Sequence, residues 1–247
     1  MKKSILTIVF LALIAGIARP LIHANPTLIP VSNSINVLNT EDRNLSGFNK
    51  IEVSGAFEIR IIKSNTYAVK VEADEKDMSR TKTSKSGDKL LISYEKEGKV
   101  YDYKSRKIVI TIQTPSLNAL TCSGAVEVKS SDLFDADKFE LKTSGATEVE
   151  LGINAKLLIS KFSGATEVQL KGKVDTHALE MTGASELDAL NLEVSKYAID
   201  SKGAADCKIF VTDELAISGS GASSIKYKGS PSKVTKDTSG ATDVSKL

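Results

Sequence analysis

The stretch Ser144-Gly145-Ala146-Thr147-Glu148-Val149 returns unchanged at 163–168 and, with Asp in place of Glu, at 239–244. Around these lie the looser copies S-G-A-V-E-V from Ser123, T-G-A-S-E-L from Thr182, K-G-A-A-D-C from Lys202 and S-G-A-S-S-I from Ser220. The Gly-Ala pair therefore falls at Gly124, Gly145, Gly164, Gly183, Gly203, Gly221 and Gly240, spacings of 21, 19, 19, 20, 18 and 19 residues. An earlier copy, S-G-A-F-E-I, starts at Ser54. Self-similarity at such a period is the signature of a repeat architecture.

Within each copy the residues alternate with the period of a strand. Four places after the Gly stand Val128, Val149, Val168, Leu187, Cys207, Ile225 and Val244, which are expected to face inward. One place earlier stand Glu127, Glu148, Glu167, Glu186, Asp206, Ser224 and Asp243, expected to face outward. Pairs such as Phe139 with Leu141 and Leu215 with Ile217 mark a second strand, and Leu133, Leu151, Leu170 and Leu192 a third apolar feature. A unit this short cannot bury its own apolar side, so identical units are expected to stack. The Gly then marks a corner that needs positive φ or leaves no room for a Cβ. The expectation is an all-β chain folded as a single-stranded parallel β-helix, a β-solenoid of about 19–20 residues per coil. Parallel crossovers favour a right-handed sense.

Upstream, Lys50 to Val53, Phe57 to Ile62, Tyr67 to Ala73, Lys89 to Glu95 and Lys107 to Gln113 also read as strands, separated by charged loops. They are expected to form irregular first coils over 45–115, in preference to a small β cap, followed by regular S-G-A coils over 116–247. Residues 25–44 show no period and read as a flexible lead. Met1, Lys2 and Lys3 precede an apolar run from Ile5 to Ile17, closed by Arg19 and Pro20. That is the pattern of a secretory signal over residues 1–24, cleaved after Ala24 in preference to Ala18. An uncleaved anchor is the alternative, but the apolar run is short for spanning a bilayer. No Cys follows the run to carry a lipid. The mature chain is thus expected to be exported, to the periplasm, the outer surface or the medium, without a membrane span.

Composition removes several classes of function. With 33 basic against 31 acidic side chains, well interspersed, there is no basic stripe for nucleic acid. Two Cys do not make a disulfide scaffold. His23 lies in the signal, which leaves His177 as the one mature imidazole. No catalytic residue, cofactor site or metal site is therefore assigned. His177 occupies the place of Phe139, Leu158 and Tyr197 in sister units and reads as a wall residue. Cys122 and Cys207 read as small buried hydrophobes. Tyr67, Tyr94, Tyr101 and Tyr103 fill the irregular end or stack on a ligand. The remaining surface candidates are Glu148, Glu150, Glu167, Glu186 and Asp188, an acidic ladder whose mutual repulsion, about 1 kcal/mol per pair in water, a basic ligand would relieve. A solvated outer face is the plainer reading.

The run G-F-N-K-I-E-V-S-G-A-F-E-I from Gly47, V-K-V-E-A-D-E from Val69 and T-P-S-L-N-A-L-T-C-S-G-A from Thr114 resembles the head GIN domain of auto-transporter adhesins. The resemblance covers nearly all of the mature chain. It implies an exported parallel β-helix of a kind common among Bacteroidetes, with adhesion as the usual description. An auto-transporter also carries a membrane barrel, and the three residues after Val244 are not expected to supply one. Three functions stay open: a surface-presenting adhesin or binding module, a polysaccharide-active enzyme, and a structural component of the envelope. Partners would be an extracellular protein or glycan, or other copies of the chain through their edges. The even repeat, without an insertion that would build a pocket, counts against the enzyme and does not separate the first from the third.

Overall fold

The computed structural model describes residues 38–95 and 107–247, all within one compact unit from Asn36 to Leu247. The signal-like run, His23, Tyr101 and Tyr103 lie outside the described residues. The elements in chain order are β1 (Asn39–Arg43), β2 (Lys50–Lys63), β3 (Ala68–Ala73), a short helix α1 (Glu75–Arg80), β4 (Thr81–Ser86), β5 (Lys89–Tyr94), β6 (Val109–Thr114), β7 (Ala119–Lys228) and β8 (Lys233–Lys246). β7 is continuous β structure for 110 residues, with positive φ at every motif Gly within it except Gly203.

The Gly-Ala copies lie directly against one another. β2 and β7 run parallel, with Ser54, Gly55, Ala56 and Phe57 opposite Ser123, Gly124, Ala125 and Val126. β7 and β8 run parallel with Gly221 opposite Gly240. Between these ends the backbone of Gly145 packs on Gly124, Gly164 on Gly145, Gly183 on Gly164 and Gly203 on Gly183. The hydroxyl before the Gly secures the contact: Ser123, Ser163 and Thr182 donate to the Val53, Thr143 and Phe162 carbonyls at 3.2, 3.3 and 3.3 Å. Inside, Val128, Val149, Val168, Leu187, Cys207 and Ile225 are fully buried in one continuous core.

The sheet as a whole is not the single-stranded, right-handed parallel β-helix that the repeat predicts. It is a mixed sheet, nearly closed and barrel-like, with 84% of the described residues in strand. β3 runs antiparallel to both β1 and β6, and β4 runs antiparallel to β5. The strand order β1-β3-β6-β2-β5-β4, with β7 and then β8 added through β2, places reversed strands around one end. Alternation with period two is the same whichever way the neighbouring strand runs, so the pattern carries no strand direction in the non-repeating part.

Three local departures accompany this. Asn39–Arg43, expected within the flexible lead, pair with β3 over five residues. Asp74, expected in a loop, is instead the N-cap of α1, its carboxylate accepting from the Asp77 N–H at 2.7 Å. This satisfies one of the orphan donors of the first turn. Leu133, read as part of the third apolar feature, is 41% exposed, and its neighbour Phe134 fills the core.

Candidate functional site

The corner that turns at each Gly is concave on its outer side. Because the next residue points outward and is always Ala, the corner becomes a trough floored by Ala56, Ala125, Ala146, Ala165, Ala184, Ala204, Ala222 and Ala241, all exposed. Two residues further on, the next outward position forms a wall: Glu58, Glu127, Glu148, Glu167, Glu186, Asp206, Ser224 and Asp243. The trough has a volume of about 1170 Å³, and Lys107 is the one basic residue among those that line it. Between floor and wall, Thr147 and Thr166 turn their side chains to the interior, where both are buried. Neighbouring strands are spaced about 4.8 Å apart, so the eight levels give a trough roughly 34 Å long.

Part of the counter-charge to this wall stands just outside the trough, where Arg60, Lys129 and Lys208 lie two residues further along their strands, and part within it, at Lys107. Arg60 pairs with Glu58 at 2.5 Å, and Lys107 reaches the same carboxylate at 3.4 Å. Burial opposes the charge on Glu58, yet these two cations hold its carboxyl below the usual range. Lys129 pairs with Glu127 and lies 4.0 Å from Glu148. Its ammonium is held above its ordinary value, chiefly by the hydrogen bond to Glu127. Lys208 lies 3.7 Å from Glu186. Mid-trough, Glu167 has a 3.5 Å hydrogen bond from Gln169. Among the described residues no ion pair reaches it.

The five sequence candidates divide. Glu148, Glu167 and Glu186 share the trough wall. Glu150 and Asp188 stand on the next outward row, off the trough, and Asp188 accepts a hydrogen bond from the Leu190 N–H at 3.2 Å, a local turn contact. The sequence pattern assigns the Gly to a corner and gives the Ala beside it no role, so the trough is missed. The signal was present, since eight successive levels keep Ala there, but only the bend makes that row concave.

The other singled-out residues lie within the protein. His177 is fully buried, its Nε2 2.8 Å from the Ser160 hydroxyl and its ring tilted over Tyr197 with centroids 4.7 Å apart. Burial lowers its pKa to about 3, so the ring is neutral. Cys122 and Cys207 are free and buried, and burial pushes both thiols up to about 12. The Cys207 thiol lies 3.7 Å from the Met181 sulfur. Tyr67 packs edge-on to Phe48, and the Tyr94 hydroxyl donates to the buried Asp77 carboxylate at 2.6 Å. Among the described residues no group of acids, Cys and His could hold a metal ion. Nor is any described helix long and apolar enough to cross a membrane.

Solved structures share this fold. A protein described as a "putative adhesin" from Bacteroides fragilis superposes with a TM-score of 0.77 at 24% identity, over 85% of this chain and 97% of that one. Two proteins from Parabacteroides distasonis follow the same course. One, a "putative adhesin", has a TM-score of 0.67 at 17% identity over 85% and 97% of the two chains. The other, a "putative lipid binding protein", has a TM-score of 0.65 at 18% identity over 85% and 96%. At these identities the likeness concerns the fold alone. No curated protein matches the sequence. The family model described as "Putative auto-transporter adhesin, head GIN domain" matches residues 47–231, three quarters of the sequence, and the chain belongs to that family.

Proposed function

We propose that this chain is an exported, non-enzymatic surface-presenting protein, a binding module of the bacterial envelope whose presenting face is the acidic trough. The observation that carries the reading is the evenness of that face. Seven carboxylates are spread along the eight levels of the wall, one at every level but that of Ser224, over an exposed Ala floor. Catalytic sites gather perturbed groups into one pocket, whereas here the mature imidazole is buried away from the trough. Membership of an adhesin-described family supports the same reading, as does the signal-like start of the chain. An extended, ordered, singly charged face suits contact with a long partner better than enclosure of a small substrate.

The test is retention. Beads carrying the protein are passed over arrays of glycans and extracellular proteins, beside beads carrying the Glu148→Lys, Glu167→Lys, Glu186→Lys triple variant. Retention by the wild type that the triple variant loses, with the β-sheet circular dichroism unchanged, supports the trough as the presenting face. Equal retention moves the presenting surface elsewhere. Turnover of a polyuronide on the array, abolished by changing one of these acids, replaces the reading with that of an enzyme.

A further inference from the structure

We infer that β8 is a terminating coil, whose inward-placed Lys236 and Lys246 keep the open end of the sheet from accepting the strand of a second copy of this chain. β8 pairs with β7 along one edge, and among the described strands nothing pairs with its other edge. Its backbone is ready for a further strand. Ser239 to Val244 repeat the full motif, and Gly240 packs on Gly221 as each earlier motif Gly packs on the one before. Such an edge is a template for pairing, and natural sheets blunt it with short strands or with inward-pointing charge.

The side chains supply that charge. In the register of the two strands Leu215, Ile217, Ile225 and Tyr227 lie beneath Val234, Lys236, Val244 and Lys246. Leu215, Ile217 and Ile225 are buried in the core, and Tyr227 packs against it. The place of Lys236, four residues before the Gly, holds Leu179, Ile199 and Ile217 in the three preceding copies, all buried. At the last level two of the four inward places hold an ammonium instead, and both lysines are exposed. Polar end units of this kind close a stack of repeats. Lys236 also occupies the edge itself. The Leu247 N–H donates to the Tyr227 carbonyl at 2.9 Å, so in this limb the odd-numbered residues direct their backbone groups to β7 and the Val244 carbonyl faces the open side. The Lys236 Nζ donates to that carbonyl at 3.0 Å. An incoming strand must displace this contact and bury both ammoniums, which is unfavourable unless each finds an anion.

No motif strand of a second copy offers those anions. The first motif strand, β2, is closed on the side away from β7 by β5 over Lys50 to Ser54 and by β6 over Glu58 to Lys63, so head-to-tail growth has no free motif strand to use. The remaining choice is β8 against β8 about a two-fold axis. Opposite residues of an antiparallel pair share a face. The register that sets Gly240 on Gly240 therefore puts Lys236 opposite Val244 and Lys246 opposite Val234 inside, and Asp237 opposite Asp243 outside. At the far end, β1 and β4 are five and six residues long and carry Glu41, Asp42, Lys82 and Lys85. The chain is displayed as single units and does not grow into a fibre, whichever face presents them.

The experiment is sedimentation velocity over a concentration series. Wild type is run beside Lys236→Ile, Lys246→Tyr, which restores the residues of the level beneath. Lys156→Ile, Lys161→Tyr makes the same change at two exposed lysines away from the end. We expect wild type and this control to remain monomeric throughout, and the end variant to approach twice the monomer mass as concentration rises. Amide exchange in the end variant should then slow over 233–247 and not elsewhere. Lys236→Met, which removes one charge at nearly constant bulk, should shift the same equilibrium more weakly. If the end variant misfolds, Lys236→Met decides alone: a dimer supports the inference and a monomer overturns it. A wild type that dimerises with exchange slowed over 233–247 overturns it. So does a monomeric end variant with its circular dichroism intact, and so does equal association of the end variant and the control. Bead retention on the trough is read separately, so either conclusion can fail while the other stands.

Discussion

Gly164 packs on Gly145 so closely that a Cβ built on Gly164 lies 2.5 Å from the Gly145 carbonyl oxygen and 2.8 Å from its amide nitrogen. Its φ is +95°, in the region that L side chains rarely adopt. The same two constraints recur at Gly124, Gly145 and Gly183, each against the backbone of the preceding copy. The motif glycine thus meets a requirement of backbone-on-backbone packing, and the trough floor exists because the chain can bend at that point on every level.

Gly164→Ala is therefore expected to cost about 3 kcal/mol or more, since both the conformation and the neighbouring backbone must give. Gly240 has φ +83° and a contact of 2.7 Å to the Gly221 carbonyl oxygen, but it lies in β8, whose residues are mostly exposed and paired to β7 on one side. Gly240→Ala should cost clearly less, because β8 can shift outward. Urea denaturation of both variants measures the difference, and equal losses would contradict the mid-sheet constraint.

His177 gives the protein a pH dependence whose direction follows from its burial. In the unfolded chain the imidazole binds a proton near pH 6.5, whereas in the folded protein it stays neutral down to about 3. Its contribution to stability is complete above pH 6.5 and is lost as pH falls from there toward 3, with a slope of at most about 1.4 kcal/mol per pH unit. His177→Phe, which repeats the residue found at Phe139, removes that contribution. Stability curves of wild type and variant should run parallel above pH 7 and converge or cross as the pH falls to 4. Parallel curves throughout would mean that the ring is reachable by water. Carboxylates such as Glu140, held at about 2 first by its hydrogen bond to Lys138, titrate alike in both proteins and cancel in the difference.

Cys122 and Cys207 belong to copies four levels apart, with Gly124 and Gly203 at the ends of the count. Four levels are roughly 19 Å, beyond the 7 Å or so between Cα atoms that a disulfide spans. With both thiols buried and raised to about 12, neither presents a thiolate near neutral pH. Thiol titration without reductant is expected to find almost none in the folded protein and two after denaturation. A value of zero after denaturation would require a different register between the copies.

The sequence by itself determined which residues face inward along the repeat, because alternation about a recurrent Gly leaves one answer: Val149, Val168, Leu187 and Ile225 are all fully buried. It also determined the register, since Gly can pack on Gly only when the copies align. It placed β2, β3, β5 and β6 of the upstream part, though neither β1 nor β4, and the family to which the chain belongs. Strand direction there was decided by tertiary structure. β3 can satisfy its hydrogen bonds against β1 and β6 when reversed, and its V-K-V-E alternation buries Val69 and Val71 in either sense. Closure of the mixed sheet, the helix capped by Asp74, and the choice of Phe134 over Leu133 for the core likewise depend on neighbours distant in the chain. So does the trough. The sequence spells out its Ala row and its acidic row as two outward positions of a strand, and only the bend at each Gly turns that pair of rows into a concave surface with a floor and a wall.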